Sequence, residues 1–580
     1  MSVRSVPFAS SPVLDFRLPI WRSRLLLLAF LAAFMVLAGR ALYLQGWNND
    51  FLRAKGESRY SRVMELPANR GRVLDRHGEP LAISTPVKSI WAIPEEIKFE
   101  SAQLSRLAVL LDMPPQEIRR RVASAERDFV YIKRQISPEV ADRVAELHVP
   151  GLFQSREYRR YYPGGEVTAH VLGFTGAEDR GQEGIELAFE ERLAGKPGSR
   201  RVIRDRMGQI VEDMESIKPA QEGEDLVLSI DSKIQSLAYT QLKAAVEAER
   251  ARAGGVVVLD AASGEVLALA NLPSYNPNNR TRLTGSQLRN RVLTDSFEPG
   301  STMKPFTVAL ALELGKIKAD TVFNTAPGRL TIGSSTISDA HPYGALTVAQ
   351  VIQKSSNVGT AKIALGLDRE SMWDIFVKAG FGSPPPVPFP GAVAGRLRPY
   401  RSWKPIEQAT MAYGYGVSVS LFQLARAYSI FARDGELVPV SFLKTEGPVA
   451  GQPVFSPGTA REMRTMLEAA AAPGGTAPKA QIVGYRVAGK TGTANKQEGS
   501  GYALHKYRAS FVGFAPVSHP RLVVAVSIDE PGNGRHFGGD VAAPVFSRVM
   551  EGALRTLGVP PDAPMKPVEM PSGAGVGESL

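Results

Sequence analysis

Ser301 and Lys304 stand one helical turn apart in FEPGSTMK, Phe297 to Lys304, and the apolar stretch PFTVALALELG follows directly. A hydroxyl with an amine at i+3 can serve as nucleophile and base, because residues three apart share one helix face. Gly300 permits a tight turn into the helix, and Pro305 is tolerated because the first four helical N–H groups have no internal acceptor. Those N–H groups and the positive end of the helix dipole would face an oxyanion formed beside the serine. To take a proton the amine must be neutral. A free lysine titrates near ~10.4, so lowering it to ~7 needs about 4 kcal/mol of differential destabilisation, from burial, the helix end and a neighbouring cation. The chemistry therefore calls for a second positive group.

An S-x-x-K pair alone specifies little, since Ser441-Phe442-Leu443-Lys444 has the same spacing. The accompanying motifs decide between them. S-x-N occurs as Ser355-Ser356-Asn357 and also as Ser274-Tyr275-Asn276, while K-T-G occurs as Lys490-Thr491-Gly492. Only Ser301, Ser355 to Asn357, and Lys490 to Gly492 can be read in the order S-x-x-K, S-x-N, K-T-G, the set of serine penicillin-recognising enzymes. No S-x-N lies between Ser441 and Lys490, so that second pair cannot complete the set.

Other elements must hold these groups in place. Ser355 to Asn357 falls between the helix-like runs Leu346 to Lys354 and Val358 to Leu365, where a short polar loop is expected. Asp231 is a candidate cap for a helix through Gln235, Ala238 and Leu242. Val256 to Asp260 and Glu265 to Leu269, joined by Ala261-Ala262-Ser263-Gly264, read as a hairpin. Gly484 to Ala488, Ala509 to Phe514 and Leu522 to Ile528 add three strands, with Lys490 to Thr493 expected just after the first. Gly489 and Gly492 would let a substrate backbone come close. Five strands from the two ends of one region predict a single antiparallel sheet with the helical middle packed on it, an α+β fold. Leu226 to Ile230 reads as a further short strand, and Pro560 to Leu580 as a disordered tail.

Leu25 to Gly39 is fifteen residues without a charge, and with Arg40 tolerated the apolar stretch reaches Leu44. Twenty helical residues span about 30 Å, one hydrocarbon thickness. A cleaved signal peptide is the alternative, but no small-x-small cleavage site follows directly. Arg4, Arg17, Arg22 and Arg24 against Asp15 favour an uncleaved anchor with a cytoplasmic tail. Without cysteine the 580-residue chain can have no disulfide, thiolate metal site or cysteine nucleophile. The seven histidines contain no H-E-x-x-H, and neither metal nor cofactor is implied. The formal charge of +11 invites a nucleic-acid reading, yet the basic residues are dispersed along the chain.

With these motifs the chain resembles the class B penicillin-binding proteins, membrane-anchored peptidoglycan DD-transpeptidases, and most of all their septal type. Asn69 to Val87 (NRGRVLDRHGEPLAISTPV) and Gly181 to Gly195 (GQEGIELAFEERLAG) resemble the family's non-catalytic pedestal. Tyr413-Gly414-Tyr415-Gly416 and Gly538 to Pro544 fit its catalytic domain. The resemblance implies a tail over 1–24, an anchor over 25–44, an elongated pedestal over 45–222, a transpeptidase domain over 223–558 and a disordered end over 559–580.

It also implies roles. Ser301 would form the acyl-enzyme, Lys304 would take its proton, Ser355 would relay a proton to the leaving amine and Asn357 would hold the donor amide. Lys490 would be the second cation and, with Thr491, Gly492 and Thr493, would make up the substrate-binding segment, both threonines lying on the terminal carboxylate. The N–H groups of Ser301 and Thr493 would make the oxyanion hole. Implied partners are peptidoglycan stem peptides, β-lactams, a polytopic glycosyltransferase and other division proteins, with the membrane reached through one helix and no nucleic acid involved. Three readings compete: an elongation-type transpeptidase, a DD-carboxypeptidase, and a β-lactam-binding sensor. A serine β-lactamase is disfavoured, since no E-x-x-L-N lies between Asn357 and Lys490.

Overall fold

The structure is a computed structural model that describes residues 19–44, 61–123, 130–204, 210–499 and 501–565. It divides into two compact units: 1–67 with 197–221, and 68–196 with 222–580. The first contains the helix Ile20–Leu42 and an antiparallel sheet of Ser61–Leu66, Gly198–Arg204 and Ile210–Lys218. The helix begins five residues ahead of the uncharged run, taking in Arg22 and Arg24, and is long and apolar enough to cross a membrane. Residues 1–18 of the expected tail lie outside the described residues.

The second unit opens with a sheet built on the long strand Pro80–Ala92, which pairs with Val130–Ile136, Leu152–Tyr161 and Val73–Leu74. Leu226–Val227 pairs parallel to Val73–Leu74, so the short strand expected at Leu226 belongs to this sheet. The Leu226 N–H donates to the Arg72 carbonyl at 2.9 Å, and Asp225 pairs with Arg72 at 2.6 Å. The pedestal-like region and the catalytic region thus share a strand pairing inside one unit.

The two pedestal stretches singled out in the sequence meet at buried charge. Glu186 is fully buried between Arg70 and Arg160, at 2.7 Å from each, and Arg70 also reaches Glu190 at 2.7 Å. Removing one partner would strand the others without a counter-charge, a loss of roughly 3–5 kcal/mol.

The catalytic sheet consists of β1 (Ala253–Asp260), β2 (Val266–Leu272), β3 (Ala488–Glu498), β4 (Gly501–Ala515) and β5 (Leu522–Asp529), all antiparallel in the order β2-β1-β5-β4-β3. Side chains alternate across it. Val256, Val258, Phe511, Val524 and Val526 pack with the helices Ser232–Ala248 and Ala543–Thr556; Val257, Leu259, Val512, Phe514 and Val523 pack with Lys304–Glu313, Leu421–Ala432 and Pro457–Ala471. Covered on both faces, these strands read as continuous apolar runs rather than as alternation. Asp231 caps the first helix, accepting from the Lys233 and Ile234 N–H groups.

Two expectations need correction. Gly484 to Ala488 is not a strand of this sheet: β3 starts at Ala488, so Lys490 to Thr493 lies on the strand itself. The chain also stays ordered past Val559, with the Asp562 carboxylate accepting from the Arg486 and Ser518 N–H groups at 2.7 and 3.1 Å. The remainder of the expected tail, 566–580, lies outside the described residues.

Near the pedestal charges, burial pushes the Asp179 carboxyl up to about 6, against the pull of Arg70 and Arg160. A raised carboxyl keeps its proton longer in the folded chain, so its stabilising contribution is complete below the unfolded value near ~3.9 and is lost as pH rises through about 6. Asp179→Asn should match the parent's thermal midpoint at roughly pH 4 and exceed it above roughly pH 7. An equal difference at both pH values would exclude Asp179 as the source.

Candidate active site

Ser301 lies in a 3-10 turn, Gly300–Met303, one turn ahead of the α-helix Lys304–Glu313 rather than within it. Gly300 takes φ +57, a left-handed conformation that glycine adopts without strain. The turn is held by Thr302 Oγ1 donating to the Pro299 carbonyl and Tyr428 Oη donating to the Thr302 carbonyl, both at 2.8 Å. Phe306, Val308, Ala309 and Leu310 bury the helix behind it. Ser301 is 6% exposed and Lys304 fully buried.

The Lys304 ammonium or amine reaches directly into the second motif: Nζ lies 2.9 Å from Ser355 Oγ and 2.5 Å from the Ser355 carbonyl. Ser355 ends the helix Val348–Lys354 in a left-handed conformation, φ 60, which turns its side chain out of the helix path. Ser356 then caps the helix Asn357–Leu365, accepting from the Gly359 N–H. The Asp339 carboxylate fixes this corner, accepting from Ser356 Oγ at 2.7 Å and the Val358 N–H at 2.9 Å. Asn357 is buried, and its Nδ2 donates to the Ser338 carbonyl at 3.1 Å.

On β3, Lys490 is fully buried with Nζ 3.2 Å from Thr491 Oγ1, whose hydroxyl also shares a 2.9 Å hydrogen bond with Thr476. Thr493 Oγ1 accepts from the Gly538 N–H at 3.0 Å. Both threonine hydroxyls are therefore engaged within the chain.

The glycines act mainly within the chain. A methyl group on Gly414 would lie 2.2 Å from the Gly300 carbonyl oxygen, and one on Gly492 would lie 2.5 Å from Ser510 Oγ and 2.8 Å from the Pro299 carbonyl oxygen. One on Gly300 would sit 3.3 Å from the Thr493 carbonyl oxygen. The Ser301 turn is thus seated against the Tyr413–Gly416 loop and the middle of β3. Gly489 likewise faces the Phe511 ring and the Val512 carbonyl rather than an open groove. Packing within the chain by itself calls for glycine at Gly489 and Gly492.

Sequence reasoning missed Asp339, Thr476 and Glu298. Glu298 stands inside the quoted FEPGSTMK, and its carboxylate accepts from the Gly416 N–H at 2.8 Å and from Tyr502 Oη at 2.9 Å. Burial pushes this carboxyl up, partly offset by those two hydrogen bonds. An acidic residue beside the nucleophile was a visible signal; Asp339 and Thr476 had none, being brought in by the fold alone. The competing motifs do not converge here. Ser441 Oγ donates to the Leu443 carbonyl, and exposed Lys444 reaches the Arg76 carbonyl. Tyr275 Oη donates to the Ala169 carbonyl in the pedestal-like region.

Residues 254–551 match the family described as penicillin binding protein transpeptidase domain, and residues 65–228 the penicillin-binding protein dimerisation domain. A probable peptidoglycan D,D-transpeptidase, PenA, of Neisseria gonorrhoeae is 44% identical over 548 residues, 94% of each chain. The peptidoglycan D,D-transpeptidase FtsI of Escherichia coli K12 is 42% identical over 549 residues, 94% of this chain and 93% of that one. The apo transpeptidase domain of Burkholderia pseudomallei penicillin-binding protein 3 is 56% identical, covering 58% of this chain and 98% of its own, with a TM-score of 0.54.

Gly492→Ala tests the packing explanation. It should destabilise the protein by about 1–3 kcal/mol, read as a lower thermal midpoint. An unchanged midpoint with weakened substrate binding would restore the substrate-approach reading.

Proposed function

Because the chain belongs to the penicillin-binding protein family, through both its dimerisation and its transpeptidase domains, we propose that it is a peptidoglycan D,D-transpeptidase acting through Ser301. The observation that carries this reading is the buried contact of Lys304 Nζ with Ser355, one turn from Ser301. Lys304 takes the Ser301 proton as Oγ attacks the carbonyl carbon of the penultimate D-Ala of a donor stem peptide. Ser301 and Thr493 N–H groups hold the resulting oxyanion. Ser355 passes a proton to the departing nitrogen, the peptide bond breaks, and free D-Ala leaves. An amine from an acceptor stem peptide then attacks the ester carbonyl, forming the cross-link and returning the proton to Ser301 Oγ.

Asn357 holds the donor amide in this scheme. Lys490 supplies the second cation, Thr491 and Thr493 bind the terminal carboxylate, and Gly492 seats β3 on the serine turn. A β-lactam acylates Ser301 in place of the donor. The N-terminal helix anchors the protein in the inner membrane by a single pass, with the Arg-rich end cytoplasmic and the catalytic unit periplasmic. The septal reading rests on the likeness to FtsI. With it come a polytopic glycosyltransferase and other division proteins as partners. Anionic envelope polymers account for the charge of +11 without nucleic acid.

Fluorescent-penicillin labelling should vanish in Ser301→Ala and persist in Ser441→Ala; the reverse would reject the assignment. Lys304→Arg keeps the charge but supplies no neutral amine, so acylation at neutral pH should fall by roughly a hundredfold or more; parental acylation would remove Lys304 as base. Depletion in cells should give filaments, whereas rounded cells would favour an elongation role.

A further inference from the structure

A second recess lies where the pedestal-like and catalytic regions meet inside one compact unit. This cleft of about 490 Å³ is lined by His170, Glu183 and Leu187 from the pedestal-like region and by Leu288, Arg289 and Phe389 from the catalytic region. Thr294 also reaches it, seven residues ahead of Ser301, but no residue of the three motifs does. His170 is 6% exposed; its Nε2 donates to the Gln287 carbonyl at 2.7 Å, and Tyr275 packs edge-on to the ring at 5.3 Å. Burial pushes this imidazole down to about 4, so at neutral pH it is uncharged and Nδ1 is an acceptor. Among the described residues Nδ1 has no hydrogen-bond partner. Glu183 stands exposed at the mouth of the cleft, where partial desolvation pushes its carboxyl up. No ion pair engages that carboxylate among the described residues. Two acceptors therefore face one cleft without donors, beside apolar walls.

We propose that this cleft is a second peptide site, which holds an uncross-linked stem peptide by the side-chain ammonium of its diamino acid, away from Ser301. The choice of ligand rests on the reading of the chain as a peptidoglycan transpeptidase. An ammonium group brings several donors and a positive charge, and so answers both His170 Nδ1 and the Glu183 carboxylate. The methylene stem of the diamino acid lies along Leu187, Leu288 and Phe389. The peptide's own carboxylates match Arg289, whose side chain is 54% exposed although it pairs with Asp295. A cleft of this volume suits a short peptide, whereas a docking helix or strand of a protein needs a longer groove. A stem peptide held here keeps its glycan strand beside the enzyme while a neighbouring peptide reacts at Ser301, which raises the effective concentration of that neighbour.

The test is calorimetric titration of the full-length protein after Ser301 has been acylated with penicillin, so that the catalytic groove is covered. The probe is a stem tripeptide ending in its diamino acid, which has no D-Ala to transfer. It should bind saturably, and acetylating its side-chain amine should weaken binding about tenfold or more. Glu183→Gln should cost a similar factor, and Leu187→Trp, which fills the cleft from a half-exposed position, should abolish binding. No saturable binding to the parent, equal binding of the acetylated peptide, or parental affinity in either variant would overturn the proposal. Should Glu183→Gln fold poorly, Leu187→Trp and the acetylated peptide still decide. An ordinary tripeptide ending in lysine that binds as tightly would overturn the stem-peptide assignment. Failure of penicillin to acylate Ser301 would show before any peptide is added, and would instead reject the reading on which the choice of ligand rests.

Discussion

Three backbones meet at the Gly300 turn with no room for a methyl group on the glycines that face it. Gly414 touches it from one side, Gly492 touches the neighbouring Pro299 carbonyl from the other, and the backbone of Thr493 closes the contact. Distances this short are open only to residues without a Cβ, so the serine's location relative to β3 is set by main chain rather than by mobile side chains. That matters for acyl transfer, where small displacements of donor groups from the reacting carbonyl lower the rate steeply.

The remaining architecture holds that contact under load. The helix behind Lys304 is wedged by Phe306 against Phe381, Tyr428 and Phe431, with ring centroids 5.1–5.7 Å apart. The sheet is apolar on both faces, so β3 is fixed by β4 and the layers beneath it. Within this rigid shell, two lysines can be fully buried at 0% exposure, Lys304 against Ser355 and Lys490 against Thr491. A buried amine needs hydrogen-bonding partners, and the left-handed Ser355 supplies two acceptors in one residue.

Much of the site was legible because its motifs are local. FEPGSTMK encodes the turn, the nucleophile and the helix start within eight residues, and the ordered S-x-N and K-T-G runs excluded Ser441. The hairpin of β1 and β2 and the Asp231 cap were legible for the same reason. Misplacing β3 has a clear physical cause: Gly-Lys-Thr-Gly-Thr has poor strand character, yet it is drawn into extended pairing by β4 on one side. Leu226–Val227 could not be assigned to its sheet from sequence, since its partner Val73–Leu74 is remote in the chain. Asp339, Thr476 and the Glu186 ion cluster were invisible likewise, because charge and hydroxyl partners far apart in sequence leave no periodic trace.

The covalent species formed with a natural donor identifies the nucleophile most directly. The full-length protein, quenched in acid during turnover of a stem pentapeptide and digested with trypsin, should yield a modified peptide beginning at Val292 and containing Ser301. Mass spectrometry should show it heavier by the stem peptide without its terminal D-Ala, as an ester labile to base. An adduct on any other peptide, or one that keeps both D-alanines, would contradict the assignment of Ser301 as the acylated nucleophile.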